Sequence, residues 1–394
     1  MAARWPQVVA LGVAQTIAWA SSTYLPALLA RPLAAELGLR PALVFAAYSV
    51  ALVIMAACGP LIGRHIDRQG GQGILCLSSV TLAGGLILLG LAVGPVSLFV
   101  AWAVIGVGMA LGLYDAAFTA LVREHGLTAR TPITGVTLLG GFASTIGWPL
   151  TAWLLAHGDW RLTCFAWAGI NLFLALPLYY RFLPSSKDLA GAAPPVTTEG
   201  AAVEHSRGDR RNILALIVFG AATAFVTSAM AAHLPGLLAI VGLPLVAAIG
   251  AAALVGPAQV AARLGEFLAS RRGRLSPLLA ARLATTLHPL GGACLLLAAG
   301  PAGATAFALL HGAGNGMITI AWGTLPLALF GPRGYGLLQG KLAAPQRLTQ
   351  AAAPFLFALI LESAGARVAI GLSVTISLLA LLALLAIRKP EGLS

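Results

Sequence analysis

Asp115 stands inside a long apolar stretch, 96–122, where an ionisable side chain is expensive unless it faces water or a partner. Moving a carboxylate between an apolar surrounding and a cationic neighbour changes whether it holds a proton, the property a proton-coupled switch needs. The bland alternative is a structural bond to hydroxyls or to an Arg. His233 and His311 occupy two other apolar stretches. Histidine titrates near physiological pH, so each is a further proton candidate, or else a hydrogen-bonding core residue. His311 and Asn315 are one helical turn apart and are expected to point the same way. Arg347, near the middle of another stretch, would attract an anionic solute or pair with Asp115. Gln15, Tyr24 and Tyr114 add neutral hydrogen-bonding groups to the same set.

Chemistry of other kinds lacks its motifs. There is no His-Glu-x-x-His metal pattern, no Ser nucleophile turn and no Gly-rich phosphate loop ending in Lys-Ser/Thr. The four cysteines, Cys58, Cys76, Cys164 and Cys294, fall in four separate stretches without paired spacing, which argues against disulfides and a zinc site. The chain is therefore expected not to be an enzyme and to need no cofactor or metal.

The elements that hold these residues follow from composition. Of 394 residues, 59% are hydrophobic and 9% charged, against about 25% charged in soluble domains. A membrane-spanning helix needs roughly 20 apolar residues. Runs of that length fall at 7–31, 41–63, 73–93, 96–122, 131–157, 162–182, 212–240, 244–268, 277–299, 302–330, 336–360 and 366–387. These predict an all-α membrane protein of twelve transmembrane helices. The net charge of +12 marks topology and not a nucleic-acid partner. Only Arg31, Arg40, Arg161 and Arg367 fall on one side of this scheme, and the remainder of the 24 Lys and Arg fall on the other. Basic loops stay cytoplasmic, so both termini are expected in the cytoplasm. The first segment lacks a cleavage site and reads as a permanent span.

The only long polar interval, Pro184 to Arg211, divides the chain into a bundle over 1–182, a cytoplasmic linker over 183–211 and a second bundle over 212–394. The two bundles resemble each other. Tyr24-Leu25-Pro26-Ala27-Leu28-Leu29-Ala30 returns 209 residues later as His233-Leu234-Pro235-Gly236-Leu237-Leu238-Ala239. Gly106-x-Gly108-x-Ala110 is answered after 206 residues by Gly312-x-Gly314-x-Gly316, and Gly135 with Pro149 by Gly340 with Pro354. Duplicated helical bundles are common in secondary transporters, which hold solute near the bilayer midplane.

Between the second and third segments lies Gly63-Arg64-His65-Ile66-Asp67-Arg68-Gln69-Gly70-Gly71. The pattern Gly-x-x-x-Asp-Arg-x-Gly resembles the loop signature of the major facilitator superfamily. With the segment number, the two halves and the central linker, the resemblance covers essentially the whole chain. It implies two pseudo-symmetric six-helix bundles and alternating access, with segments 1, 4, 7 and 10 lining the cavity. It also implies that Gly63, Asp67 and Arg68 belong to a gating loop. Arg263 and Glu266, which follow Gly256-Pro257 as the signature follows Gly59-Pro60, form its counterpart. They are three residues apart and able to pair.

The chain departs from the family pattern at Gly71 and Gln72, where two basic residues are usual. Trp102 stands where many proton-coupled drug exporters carry Arg, and Gly147-Trp148-Pro149 replaces an adjacent Gly-Pro. These point away from a standard multidrug antiporter. The runs Gly314-Asn315-Gly316, Gly323 to Gly331 and Gly334-Tyr335-Gly336 are similar to a branch that includes arsenite exporters. Gly158-Asp159-Trp160-Arg161 is similar to carboxylate transporters. No cysteine lies in segments 1, 4, 7 or 10, so a metalloid would be held by hydroxyls. The expected function is proton-coupled efflux of a small solute, arsenite or a related compound, across a bacterial inner membrane. Import of a small organic anion such as a monocarboxylate is the alternative. Expected partners are the solute, protons and the lipid bilayer, with no nucleic acid, and the chain is expected to be a monomer.

Overall fold

Helices make up all the regular structure in the computed structural model, which describes residues 5–185, 207–271, 275–298, 300–330 and 335–387. Most of the 183–211 linker lies outside the described residues, as do Gly331 and Gly334. The chain divides into two units, Met1–Val196 and Thr197–Ser394.

The first unit contains α1 (Trp5–Ser21), α2 (Pro26–Glu36), α3 (Pro41–Gln69), α4 (Gln72–Gly90), α5 (Pro95–Gly112), α6 (Tyr114–His125), α7 (Arg130–Gly140), α8 (Ala143–His157), α9 (Trp160–Ile170) and α10 (Leu176–Phe182). A π-helical turn, Asn171–Ala175, joins the last two. Prolines open α2, α3 and α5, where the missing N–H is no loss. The second unit contains α11 (Arg207–Ile240), α12 (Leu245–Ala253), α13 (Val255–Arg271), α14 (Pro277–Leu297), α15 (Pro301–Phe330) and α16 (Tyr335–Leu385).

Among the described residues ten helical stretches are long and apolar enough to cross a membrane, some of them joining two helices, as in Trp5–Glu36 and Pro95–His125. The 21-residue α14 stands outside those ten. Inside α16, Gly365 is non-helical at φ 82° and ψ 174°. Large apolar side chains such as Val93, Phe173, Val246 and Leu297 are more than four-fifths exposed, which suits lipid as the solvent. The protein is an all-α, multi-pass membrane protein.

Glycine sets how closely the helices approach. A Cβ on Gly106 of α5 would come within 2.6 Å of the Ala51 carbonyl of α3. One on Gly312 of α15 would come within 2.5 Å of the Val255 carbonyl of α13. Lipid offers no hydrophobic drive for helix association, so backbones in van der Waals contact supply it. The core of the second unit packs Leu216, Phe219, Ala281, Ala284, Leu325 and Leu342 from α11, α14, α15 and α16.

One sequence expectation is corrected here. Gly63, Asp67 and Arg68 do not lie in a loop, because α3 continues to Gln69 and ends at Gly70, whose φ of 88° stops it. Nothing between Gly63 and Gln69 breaks a helix, so it runs on until a glycine takes the left-handed conformation.

Candidate functional site

Within the first unit, two breaks in the membrane-spanning stretches place the polar groups. The first separates α1 from α2 at Ser22–Leu25. There the hydroxyl of Ser22 donates to the Ala18 carbonyl at 2.6 Å, and the Tyr24 N–H reaches back to the Trp19 carbonyl at 3.1 Å. The second falls at Leu113, whose extended ψ of −174° separates α5 from α6. A break inside a membrane frees backbone groups that the protein must satisfy. Gln15, fully buried on α1, does this: its Nε2 donates to the Gly112 carbonyl at 2.6 Å and to the Tyr179 hydroxyl at 3.2 Å.

Aromatic rings join these two breaks. Trp19 lies 5.0 Å from Tyr114 and 6.5 Å from Tyr24, Tyr114 stacks on Phe118 at 4.9 Å, and Tyr24 meets the edge of Trp148 at 5.3 Å. The Trp148 indole N–H donates to the Tyr24 carbonyl at 3.1 Å. Gln15, Tyr24 and Tyr114 therefore come together around α1, with Trp19 and Trp148 between them. Asp115 is not in mid-helix as expected. It is exposed in the first turn of α6, directly after the Leu113 break, where the helix N-terminus favours a negative charge.

In the second unit the polar residues of α11 turn toward α15 and α16. The Thr227 hydroxyl donates to Asn315 Oδ1 at 3.1 Å, and the Ser228 hydroxyl donates to the Gln350 carbonyl at 2.8 Å. His233 is buried, with Nε2 2.9 Å from the Pro354 carbonyl and its ring 5.2 Å from Phe357. A carbonyl only accepts, so Nε2 carries the proton. Arg347 is half-buried on α16. His311 and Asn315 meet different neighbours despite their one-turn spacing: Asn315 faces Thr227 on α11, while His311 stacks on His288 of α14 at 4.6 Å. Successive turns advance around the helix, and α15 lies against several helices at once.

The signature residues and their counterpart also differ. Asp67, Arg64 and Arg68 are exposed at the end of α3. Arg263 is buried on α13, donating to the Gly316 carbonyl at 3.4 Å and to Gln259 Oε1 at 3.3 Å. Glu266 accepts from the Ser270 hydroxyl at 3.2 Å.

Sequence reading missed a polar lock at one end of the first unit. Arg161 donates to Glu36 Oε1 through Nε and Nη2 at 3.0 and 2.9 Å, and through Nη1 to the Gly90 carbonyl at 2.7 Å. The Trp160 indole donates to Glu36 Oε2 at 2.6 Å, and the guanidinium lies 4.3 Å from the Trp160 ring. It also missed His288. Its position was legible in the repeat, because His288 stands 206 residues after Leu82 as Gly314 stands after Gly108. Among the described residues no group of three or more His, Cys, Asp or Glu is placed to hold a metal, and all four cysteines are free.

A model of the Major Facilitator Superfamily matches residues 10–340. The chain is 15% identical to a bacterial homolog of the human lysosomal transporter Spinster, crystallised inward-facing and unoccupied, with a TM-score of 0.70 over 99% of this chain and 100% of that one. It is 14% identical to the nucleoside transporter NupG, with a TM-score of 0.74 over 97% and 99%, and 15% identical to the human organic anion transporter MFSD10, with a TM-score of 0.65 over 98% and 100%. These likenesses show the fold. An uncharacterized 38 kDa protein in the 23S RNA operon of Thermoproteus tenax is 29% identical over 152 residues, 37% of this chain and 38% of that protein. The chain belongs to the Major Facilitator Superfamily, whose members are secondary transporters and not enzymes.

Proposed function

We propose that this member of the Major Facilitator Superfamily exports a small uncharged solute in exchange for protons, arsenous acid being the compound to test first. Twelve spans in two six-helix bundles, over 1–182 and 212–394, are part of this reading. The separate α14 and the break at Gly365 support that number. The observation that carries the solute class is the neutral polar set inside the apolar helices: Gln15, Tyr24, Tyr114, Thr227, Ser228 and Asn315 offer hydroxyls and amides, while the cysteines sit on α3, α4, α9 and α14. A compact polyhydroxylated solute exchanges its water hydrogen bonds for these at little cost. Asp115 and His311 are the proposed proton carriers, and His233, already bonded to a carbonyl, is third. Both termini lie in the cytoplasm of a bacterial inner membrane, on the charge asymmetry, and the protein acts as a monomer.

Everted membrane vesicles with an acid interior test this reading. Radiolabelled arsenite is expected to accumulate inside and to leak out when a protonophore is added. Arg347, half-buried in an apolar span, favours a second reading, import of a small monocarboxylate. Lactate accumulation in right-side-out vesicles, with arsenite unmoved in everted ones, would establish that reading and overturn the first.

A further inference from the structure

His288 and His311 face each other across α14 and α15, 4% and 3% exposed, with ring planes 25° apart and centroids 4.6 Å apart. The Phe307 ring lies nearly parallel to His311 at 5.4 Å. A neutral imidazole has one N–H to donate and one lone pair to fill. Both ring nitrogens of His288 are buried and meet no hydrogen-bond partner of acceptable geometry, although the His311 backbone runs alongside. Burying such a group unpaired opposes folding, and an orphan of this kind calls for an explanation.

Packing does not supply one. The corresponding positions of the first unit, 206 residues earlier, are Leu82 and Ile105, both buried. Leu82 occupies the same kind of seat as His288: a Cβ on Gly108 would lie 2.9 Å from Leu82, and one on Gly314 would lie 2.6 Å from the His288 ring. The seat that His288 fills in the second unit is thus filled by an aliphatic side chain in the first, and Ile105 stands at the position of His311.

We propose that His288 and His311 form a single-proton site. One proton binds a ring nitrogen of the pair, and its charge prevents a second from binding, since two cations this close in an apolar interior repel strongly. The Phe307 face stabilises the imidazolium. Among the described residues, the charged groups of the helices packed against the pair are bonded elsewhere or stand elsewhere along their helices, and Cys294 lies six residues beyond His288 on α14. Arg282, six residues before His288 on α14, is tied to the Leu384 and Ile387 carbonyls. Arg263 on α13 is tied to Gly316 and Gln259. His233 on α11 is tied to Pro354. The charged groups of α16, namely Lys341, Arg347, Glu362 and Arg367, all lie outside the 370–374 turn that meets Gly292 of α14. The site also sits where a charge can move a helix. Gly314 seats α15 on His288, while Gly312 and Gly316 seat the same turns on Val255 and Gln259 of α13. Only the use of this proton in transport rests on the proton-coupled reading above; its binding does not.

The test uses full-length protein in liposomes, labelled with 15N-histidine and titrated from about pH 8 to about pH 5. The His288 and His311 signals are expected to move together and to account for one proton between them. The variant carrying His288→Leu and His311→Ile, which copies the first unit, is expected to fold and to take up one proton fewer per chain in a pH-stat. Should it fail to fold, His288→Asn alone serves, with the same deficit expected. Two rings that stay neutral throughout, two protons bound independently, or an undiminished proton count in the variant would overturn the proposal. Arsenite flux measured alongside separates the two readings. Driven flux that persists despite a failed titration removes this site and leaves the transporter. A correct titration without driven flux does the reverse.

Discussion

Gly106 lies against the backbone of Ala51 in the first unit, and Gly312 lies against that of Val255 in the second. The start of α4 is tied to the end of α10 by Gln72, which donates to the Tyr180 and Leu183 carbonyls at 2.8 Å. The start of α14 is tied to the end of α16 by Arg282, which donates to the Leu384 and Ile387 carbonyls at 3.0 and 3.4 Å. Packing contacts thus repeat between the units, and backbone carbonyls are the shared acceptors. Side-chain chemistry does not repeat. The first unit answers His288 and His311 with Leu82 and Ile105, and it answers His233 beside Phe357 with Tyr24 beside Trp148. The two units share what brings helices together and differ in what the helices hold.

The largest effect should come from attacking the shared part. Gly106→Val and Gly312→Val each drive a branched side chain into a neighbouring backbone, where overpacking costs about 1–3 kcal/mol or more. Both are expected to lose most folded protein on size-exclusion chromatography in detergent. Loss in one unit alone would mean that the glycine contacts are not equivalent.

The signature and its counterpart sharpen the contrast. Arg263→Ala removes a buried cation from two acceptors and should lower stability by about 2 kcal/mol in a denaturant titration. Asp67→Asn, on an exposed residue, should change stability by less than about 0.5 kcal/mol. It should still impair transport, because a small bias between conformations is enough to trap a two-state carrier. Wild-type flux at equal expression would argue that Asp67 only solvates the end of α3.

Polar satisfaction inside the membrane gives a third comparison. Gln15→Leu strands the Gly112 carbonyl and should cost about 1–3 kcal/mol. Thr227→Val removes one hydrogen bond from half-buried Asn315, and about 1 kcal/mol is expected. A larger loss at Thr227 would reverse the ranking. The smallest effects concern two arginines, Arg161 at the start of α9 and Arg367 within α16. Arg161→Ala opens a partly exposed network and should cost about 1 kcal/mol. Exposed Arg367, which stands 206 residues later, should tolerate Ala to within about 0.5 kcal/mol in thermal melts.

Much of the architecture was legible because lipid leaves few choices. A spanning segment must be long, apolar and internally hydrogen-bonded, so hydropathy located 131–157 and 302–330 almost where Thr131–His157 and Pro301–Phe330 are found. It ended the second segment at residue 63, six residues short of Gln69, because polar residues stop an apolar run without stopping a helix. The candidate site was legible in part. Gln15, Tyr24 and Tyr114 stood out as polar residues in apolar runs. Nothing in their spacing revealed that Gln15 serves the Gly112 carbonyl, because the break at Leu113 has no Pro to announce it.

By itself the sequence determined the all-helical membrane class, the motifs that recur between its halves and the residue types available in the apolar segments, since each follows from composition or from recurrence along the chain. Only the tertiary structure decided which of those residues meet: His288 with His311, Arg161 with Glu36, Arg263 with Gly316. In helices apolar on every face, hydropathy does not encode rotation about the axis. Rotation is set by which glycines let which backbones touch, and partner choice follows from that.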